Sequence, residues 1–367
     1  MSAVSDRNIA IKRILDTLYA RAIDNNLPID ESEYQESLDM LFSTTAWGFR
    51  EILLVVVVGM NLDSSFRAST GLYDCNPRAI YEGPIKDFLI EKEIPHRKSG
   101  PLNIAKATVG LDTTWAAQRR PAKVAFEVVN LIQYMENTEG NSINKINNIG
   151  VSLLRRLISE SKRIEALTVE IEPSADPEFL YYLCYELITK VPDAGNTPQK
   201  IIAFLLKNYH KSMDTGIIVT GEEDRASVTS TTSKKPGDVN EESSCGIIYK
   251  VYEVTVKPFD LARIRDSYDS ILKYNRANNT SLDEIMVICR KEDCPIDIKN
   301  SGLHSFIGSY GYQNITYYYL DIYEWISDRL YHMTQEGRIA FYNDLNSYIS
   351  DINTAETVKV LWSNLHQ

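Results

Sequence analysis

The sequence predicts an α+β chain in which a mainly helical N-terminal region, residues 1–215, is followed by a mixed-sheet α/β region, residues 216–367. Three observations predict it. Apolar residues recur at helical spacing through the first half of the chain. Alternating and short apolar runs of strand type appear only after Ile217. Between the two textures lies the Ser/Thr-rich stretch Gly221–Ser233, whose composition is that of a linker.

Each element follows from local pattern. Ile9, Ile11, Ile14, Leu15, Leu18 and Tyr19 mark a helix face, and Val124–Met135 does the same with Val128, Leu131, Ile132 and Met135. Gly71, Pro77, Gly83, Pro84, Pro95, Gly100 and Pro101 cut residues 67–120 into short pieces joined by loops, where binding residues often sit. The asparagine-rich run Asn137–Asn148 reads as a turn or boundary. Val151–Leu167 resumes the helical pattern with Arg155, Arg156, Lys162 and Arg163 outside, and helices over 177–190 and 198–211 follow. Ile247–Val256 alternates as a strand until Pro258 stops it. Asp260 then caps a helix running to Tyr274, with Leu261, Ile264, Tyr268, Ile271 and Leu272 on one face. Glu284–Cys289 and Ile315–Leu320 are strands of the buried type and Ile322–Met333 is a helix, so the tail reads as a mixed sheet flanked by helices.

Composition excludes several classes. The longest apolar run, Ile52–Met60, is too short to cross a bilayer. Asp6, Arg7, Lys12 and Arg13 interrupt the N-terminus where a signal peptide needs an apolar stretch, so a cytoplasmic protein without a membrane partner is expected. The five cysteines are scattered, odd in number and without a Cys-x-x-Cys pair, which argues for buried thiols over a disulfide framework or zinc knuckle. Phosphate-loop, dinucleotide, His-Glu-x-x-His and Gly-x-Ser-x-Gly motifs do not occur, and the five histidines have no metal-ligand spacing.

The segment that carries chemistry is Pro236-Gly237-Asp238-Val239, followed by Glu253-Val254-Thr255-Val256-Lys257. Residues two apart in a strand share a face, so Glu253, Thr255 and Lys257 should align on the side where Asp238 joins them. A carboxylate pair of this kind holds magnesium through oxygen ligands and leaves positions for water and a phosphate oxygen. These residues resemble the PD-(D/E)XK nuclease superfamily, and type II restriction endonucleases in particular. There an acid opens the second strand of a hairpin and the next strand supplies an acid-x-lysine, with a crossover helix behind. Asp238 matches the first acid and Glu253 the second. Thr255 occupies the usual lysine place, so either Lys257, one same-face step further, takes that role or the site uses a variant residue. Glu186, on a helix ahead of this core, is either an additional acid, as in some members of the superfamily, or an exposed helix residue.

A second signal is charge. The chain has a net charge of −11, yet residues 95–123 hold Arg97, Lys98, Lys106, Arg119, Arg120 and Lys123 against the single acid Asp112. Arg97, Lys98, Asn103, Gln118, Arg119 and Arg120 are the residue types that grip phosphate and read base edges. The resemblance implies a PD-(D/E)XK-like nuclease domain over 216–367 and a DNA-recognition region over 1–215. It further implies a Mg2+-dependent endodeoxyribonuclease that cuts double-stranded DNA at specific sequences, with Asp238, Glu253 and Lys257 catalytic. Cleavage in that family leaves a 5′-phosphate and a 3′-hydroxyl. A homodimer is expected, because a twofold protein matches a twofold site. The alternative is a non-catalytic DNA-binding subunit of a defence complex that retains the fold.

Overall fold

A computed structural model describes residues 3–367 with the exception of 25, 98–99, 107, 138–141, 170, 224–234, 296 and 299–302. Lys98 and most of the expected linker therefore lie outside the described residues. The chain divides into two compact units, Met1–Ala166 and Leu167–Gln367. The first is helical and the second carries a six-stranded mixed sheet, so the chain is α+β. No helix among the described residues is long and apolar enough to cross a membrane.

In the first unit the apolar run becomes the helix Gly48–Leu62, in which every residue from Phe49 to Met60 is buried. Helices Ala3–Ile23, Ala122–Glu136 and Ser142–Glu165 pack around it through Ile11, Leu15, Val128, Ile132, Ile149 and Leu153. The last of these helices starts inside the asparagine-rich run expected to be a turn. Ile146 and Ile149 are buried there and extend the apolar face, and that burial carries Asn147 and Asn148 into the helix. Arg155 and Arg156, expected outside, are half-buried. Arg155 donates to the carbonyls of Ala22, Asp24 and Leu27, and Arg156 binds Glu31 and Asp39.

In the second unit the strands are β1 (Ile218–Thr220), β2 (Val239–Glu242), β3 (Ile248–Thr255), β4 (Glu284–Cys289), β5 (Phe306–Tyr312) and β6 (Ile315–Asp321). Their order in the sheet is β1-β2-β3-β4-β6-β5. The β1–β2, β2–β3 and β5–β6 pairs are antiparallel, and β3–β4 and β4–β6 are parallel. Parallel neighbours need a crossover. Between β3 and β4 it is the helix Leu261–Asn278, capped as expected by Asp260, whose carboxylate accepts from the amides of Ala262 and Arg263 at 3.1 and 3.2 Å.

The sheet is covered on both faces. Val251, Ile285, Val287, Tyr317 and Tyr319 share a core with Ile264 and Ile271 of the crossover helix. Val239, Tyr252, Val254 and Ile288 share the other core with helices Pro177–Lys190, Asn196–Ser212, Ile322–His332, Gln335–Ser350 and Glu356–Leu365. The first two of these helices thus lie on the sheet's side of the unit boundary, which falls well before the composition shift near residue 215. The consecutive tyrosines 317–319 are strand residues. Tyr317 and Tyr319 are buried and donate to the carbonyls of Ile264 (3.2 Å) and Phe259 (2.8 Å), pinning the crossover helix to β6. A β-bulge shifts the β2–β3 register between Glu241, opposite Lys250, and Glu242, opposite Ile248, so Tyr249 is the extra residue.

Candidate active site

The register of the β2–β3 hairpin places the two acids. Val239 pairs with Tyr252, so one step further Asp238 stands opposite Glu253. Close backbone packing fixes this end of the hairpin. A Cβ on Gly237 would sit 2.4 Å from the Val251 side chain, and a Cβ on Gly221, whose φ is +107°, would sit 2.1 Å from the Asp238 carbonyl oxygen. Gln199, buried in the helix Asn196–Ser212, donates from Nε2 to the carbonyls of Gly221 (3.2 Å) and Asp238 (3.4 Å). Nothing in the local pattern around Gln199 marks it in advance.

Among the described residues each carboxylate accepts one hydrogen bond. Asp238 Oδ2 accepts from the Val254 amide at 2.9 Å, and Glu253 Oε1 accepts from Ser267 Oγ of the crossover helix at 3.1 Å. Burial raises the Asp238 carboxyl to about 6 against the pull of the Val254 amide and of Arg263. Burial and the neighbouring Asp238 raise Glu253 to about 8 against Arg263 and Ser267. Both carboxyls are thus pushed above their ordinary range, which disfavours two adjacent negative charges.

The cation beside the pair is Arg263, which sequence reasoning missed. It sits one helical turn before Ser267, so both side chains face β3. Its Nη1 donates to Thr255 Oγ1 at 2.6 Å and its guanidinium lies 4.6 Å from the Phe259 ring centroid. Among the described residues it forms no ion pair with Asp238 or Glu253. The only advance signal was an arginine and a serine four apart on the helix that follows the acid-x-Thr strand.

Lys257 is placed differently from expectation. The strand ends at Thr255, whose hydroxyl accepts from the Lys257 amide (3.1 Å) and donates to the Lys257 carbonyl (2.9 Å). That turn ends the alternation before Lys257 joins the Glu253 and Thr255 face, and its side chain is exposed. Glu186 is buried and ion-paired with Lys190.

The opposite face of the hairpin holds another carboxylate, Glu241. His210 Nε2 lies 3.0 Å from Glu241 Oε1 and Tyr252 Oη donates to the same oxygen at 2.8 Å, all three residues being buried. Burial opposes the Glu241 charge, but the His210 and Tyr252 bonds outweigh it and hold the carboxyl below its ordinary value.

The donor set at Asp238 and Glu253 suits a hard divalent cation. Two carboxylates face each other with no ion-paired cation among the described residues, and their raised pKa values mark negative charge that a metal would relieve. Among the described residues no three His, Cys, Asp or Glu side chains are grouped to hold a metal. Magnesium, which commonly takes one or two carboxylates and fills its shell with water and phosphate, makes the smallest demand on such a pair.

In the first unit, Arg97 follows a loop tied down by Glu51. The Arg97 amide donates to Glu51 Oε1 at 2.6 Å, and the Tyr81 hydroxyl lies 2.7 Å from that oxygen and 2.6 Å from the Arg97 carbonyl. Asn103 is exposed on the helix Gly100–Ile104, and Gln118 and Arg120 are exposed after the helix Thr113–Ala117. The Trp115 indole joins these two helices by donating to the Ile104 carbonyl at 2.8 Å. Arg119 is half-buried, and Arg120 turns back to the carbonyl of Arg119 at 2.8 Å. The island belongs to the first unit, whereas the acid pair belongs to the second. Compared with known proteins, the chain matches no family model and no curated protein.

Proposed function

We propose that the chain is a Mg2+-dependent endodeoxyribonuclease similar to type II restriction enzymes of the PD-(D/E)XK superfamily, acting on double-stranded DNA as a cytoplasmic homodimer. The observation that carries this reading is the opposed, desolvated Asp238–Glu253 pair on a hairpin whose second strand leads through a crossover helix to a parallel neighbour. Strongly perturbed carboxylates without a salt-bridge partner mark reactive sites more often than structural ones.

Asp238 and Glu253 are the residues that would hold the ion, oriented by the Val254 amide and the Ser267 hydroxyl. Magnesium bound there supplies Lewis-acid polarisation of a phosphate oxygen and a water acidic enough to attack at neutral pH. In the hydrolysis the water oxygen bonds to phosphorus, the bond to the 3′ oxygen breaks, and that oxygen gains a proton as the water loses one. Lys257 is exposed beyond the strand, and its proposed role is contact with the DNA backbone. Arg97, Lys98, Asn103, Gln118, Arg119 and Arg120 bind and read the duplex from the first unit.

Thr255 in the lysine place favours a second reading, a DNA-binding subunit of a defence complex that keeps the fold without cutting. A digest of unmethylated DNA with magnesium, followed by sequencing of the ends, separates the two. Defined ends at a recurring sequence are expected. Uncut DNA that still shifts in a salt-sensitive way would select the non-catalytic subunit.

A further inference from the structure

We infer that Arg263, supplied by the crossover helix, is the catalytic residue that contacts the phosphate at the Asp238–Glu253 site, in the role that a strand lysine plays in the resembled family. This rests on the nuclease reading above and names a group it lacks.

Thr255 is buried, and its hydroxyl is fixed by the amide and carbonyl of Lys257, so it is a rigid post at the end of β3. Arg263 donates one N–H to that post at 2.6 Å and rests on the Phe259 ring, two contacts that fix the guanidinium plane. Thr255 thus fills the expected lysine place with an acceptor for a cation from elsewhere.

A second observation concerns what Arg263 does not touch. It pairs with neither Asp238 nor Glu253 among the described residues, its hydrogen bond going to Thr255 instead. Its remaining N–H groups have no protein partner among the described residues. An arginine free to move would close on two nearby carboxylates. This one is held by Thr255 and Phe259 instead, and it offers a planar donor fork that matches two phosphate oxygens.

Charge gives the third support. Two carboxylates and one divalent ion cancel, so the site gains attraction for a phosphodiester only from a further cation. Arg263 supplies it at a fixed place, and its donors aim at the phosphoryl oxygens where charge grows during attack. Lys257 lies past the end of the strand on a flexible stem exposed to solvent.

The test compares wild type, Arg263→Ala, Arg263→Lys and Lys257→Ala in single-turnover cleavage of plasmid DNA with magnesium. Mn2+ affinity and the pH–rate profile are measured on the same proteins. Arg263→Ala should slow cleavage about 10²–10³-fold, the cost of one well-aimed donor. Arg263→Lys should recover part of that loss, and Lys257→Ala should cost less than Arg263→Ala. Mn2+ should bind Arg263→Ala at least as tightly as wild type, because a neighbouring cation has gone. The acidic limb of the pH profile should move to higher pH for the same reason. Cleavage by Arg263→Ala within roughly threefold of wild type overturns the assignment. So does a larger loss in Lys257→Ala, or loss of Mn2+ binding together with rate, which would make Arg263 a support for the acids only. A wild-type protein that leaves DNA intact overturns the nuclease reading and this inference with it, whereas an active wild type with an active Arg263→Ala overturns this inference alone.

Discussion

Asp238 and Glu253, half-buried on one face of the β2–β3 hairpin, and Glu241, buried on the other, lie within a few residues of each other, yet their carboxyls shift in opposite directions. Glu241 meets a histidine and a tyrosine that repay its desolvation, and its carboxyl is held below the ordinary range. Asp238 and Glu253 meet each other and one hydrogen bond apiece, and both are pushed up. Burial of an acid is thus common to both faces, and the partner decides whether it ties the fold together or stays available for chemistry.

The largest effects should come from exchanging these roles by mutation. Asp238→Ala and Glu253→Ala should each reduce cleavage by more than about 10³-fold with little loss of stability, since each removes a metal ligand and an uncompensated acid. Glu241→Ala should do the reverse, costing about 2–4 kcal/mol by stranding His210 and Tyr252 in the core. Cleavage assays and denaturant melts on the three variants check the contrast, and a Glu241→Ala that is stable but inactive would dissolve it.

The pH response should sharpen it. Glu253 is raised in the folded chain to about 8. Without metal, its contribution to stability is therefore present in full below the carboxylate's unfolded pKa and is lost as pH rises through about 8. Glu253→Gln should gain about 1–3 kcal/mol relative to wild type between pH 5 and pH 9. Magnesium binding to wild type at neutral pH should release a proton, readable by titration calorimetry in buffers of different ionisation heat. A pH-independent difference would show that Glu253 is already ionised in the fold.

The smallest effect lies outside the hairpin. Arg119→Ala with Arg120→Ala should weaken DNA binding and lower the salt slope by roughly one to two phosphate equivalents, leaving metal affinity unchanged. An unchanged slope would move phosphate binding to other cations.

The sequence disclosed the acid pair and the Asp260 cap because both depend on spacing within one hairpin or one helix turn. It did not disclose Arg263 or Gln199, whose importance comes from where a helix crosses the sheet. β1 is too short for a period, and β5 carries Gly308 and Gly311, which weaken a strand pattern. Lys257 was expected on the catalytic face because alternation was carried past Thr255. A side chain bonding its own backbone ended the strand there. In the Asn137–Asn148 run, turn-forming composition lost to the burial of Ile146 and Ile149.

The extra residue at Tyr249 has a consequence for how this hairpin tolerates change in length. The bulge lies toward the turn at Ser243–Ile247, and the acids lie at the far end, where Gly237 and Gly221 leave no slack. An insertion or deletion in the turn can be taken up by widening or erasing the bulge, with Val239 still opposite Tyr252. The same change between Gly237 and Val239 would turn Asp238 to the other face of the sheet, away from Glu253. Loop length at one end and the placement of the two acids at the other are thus mechanically uncoupled.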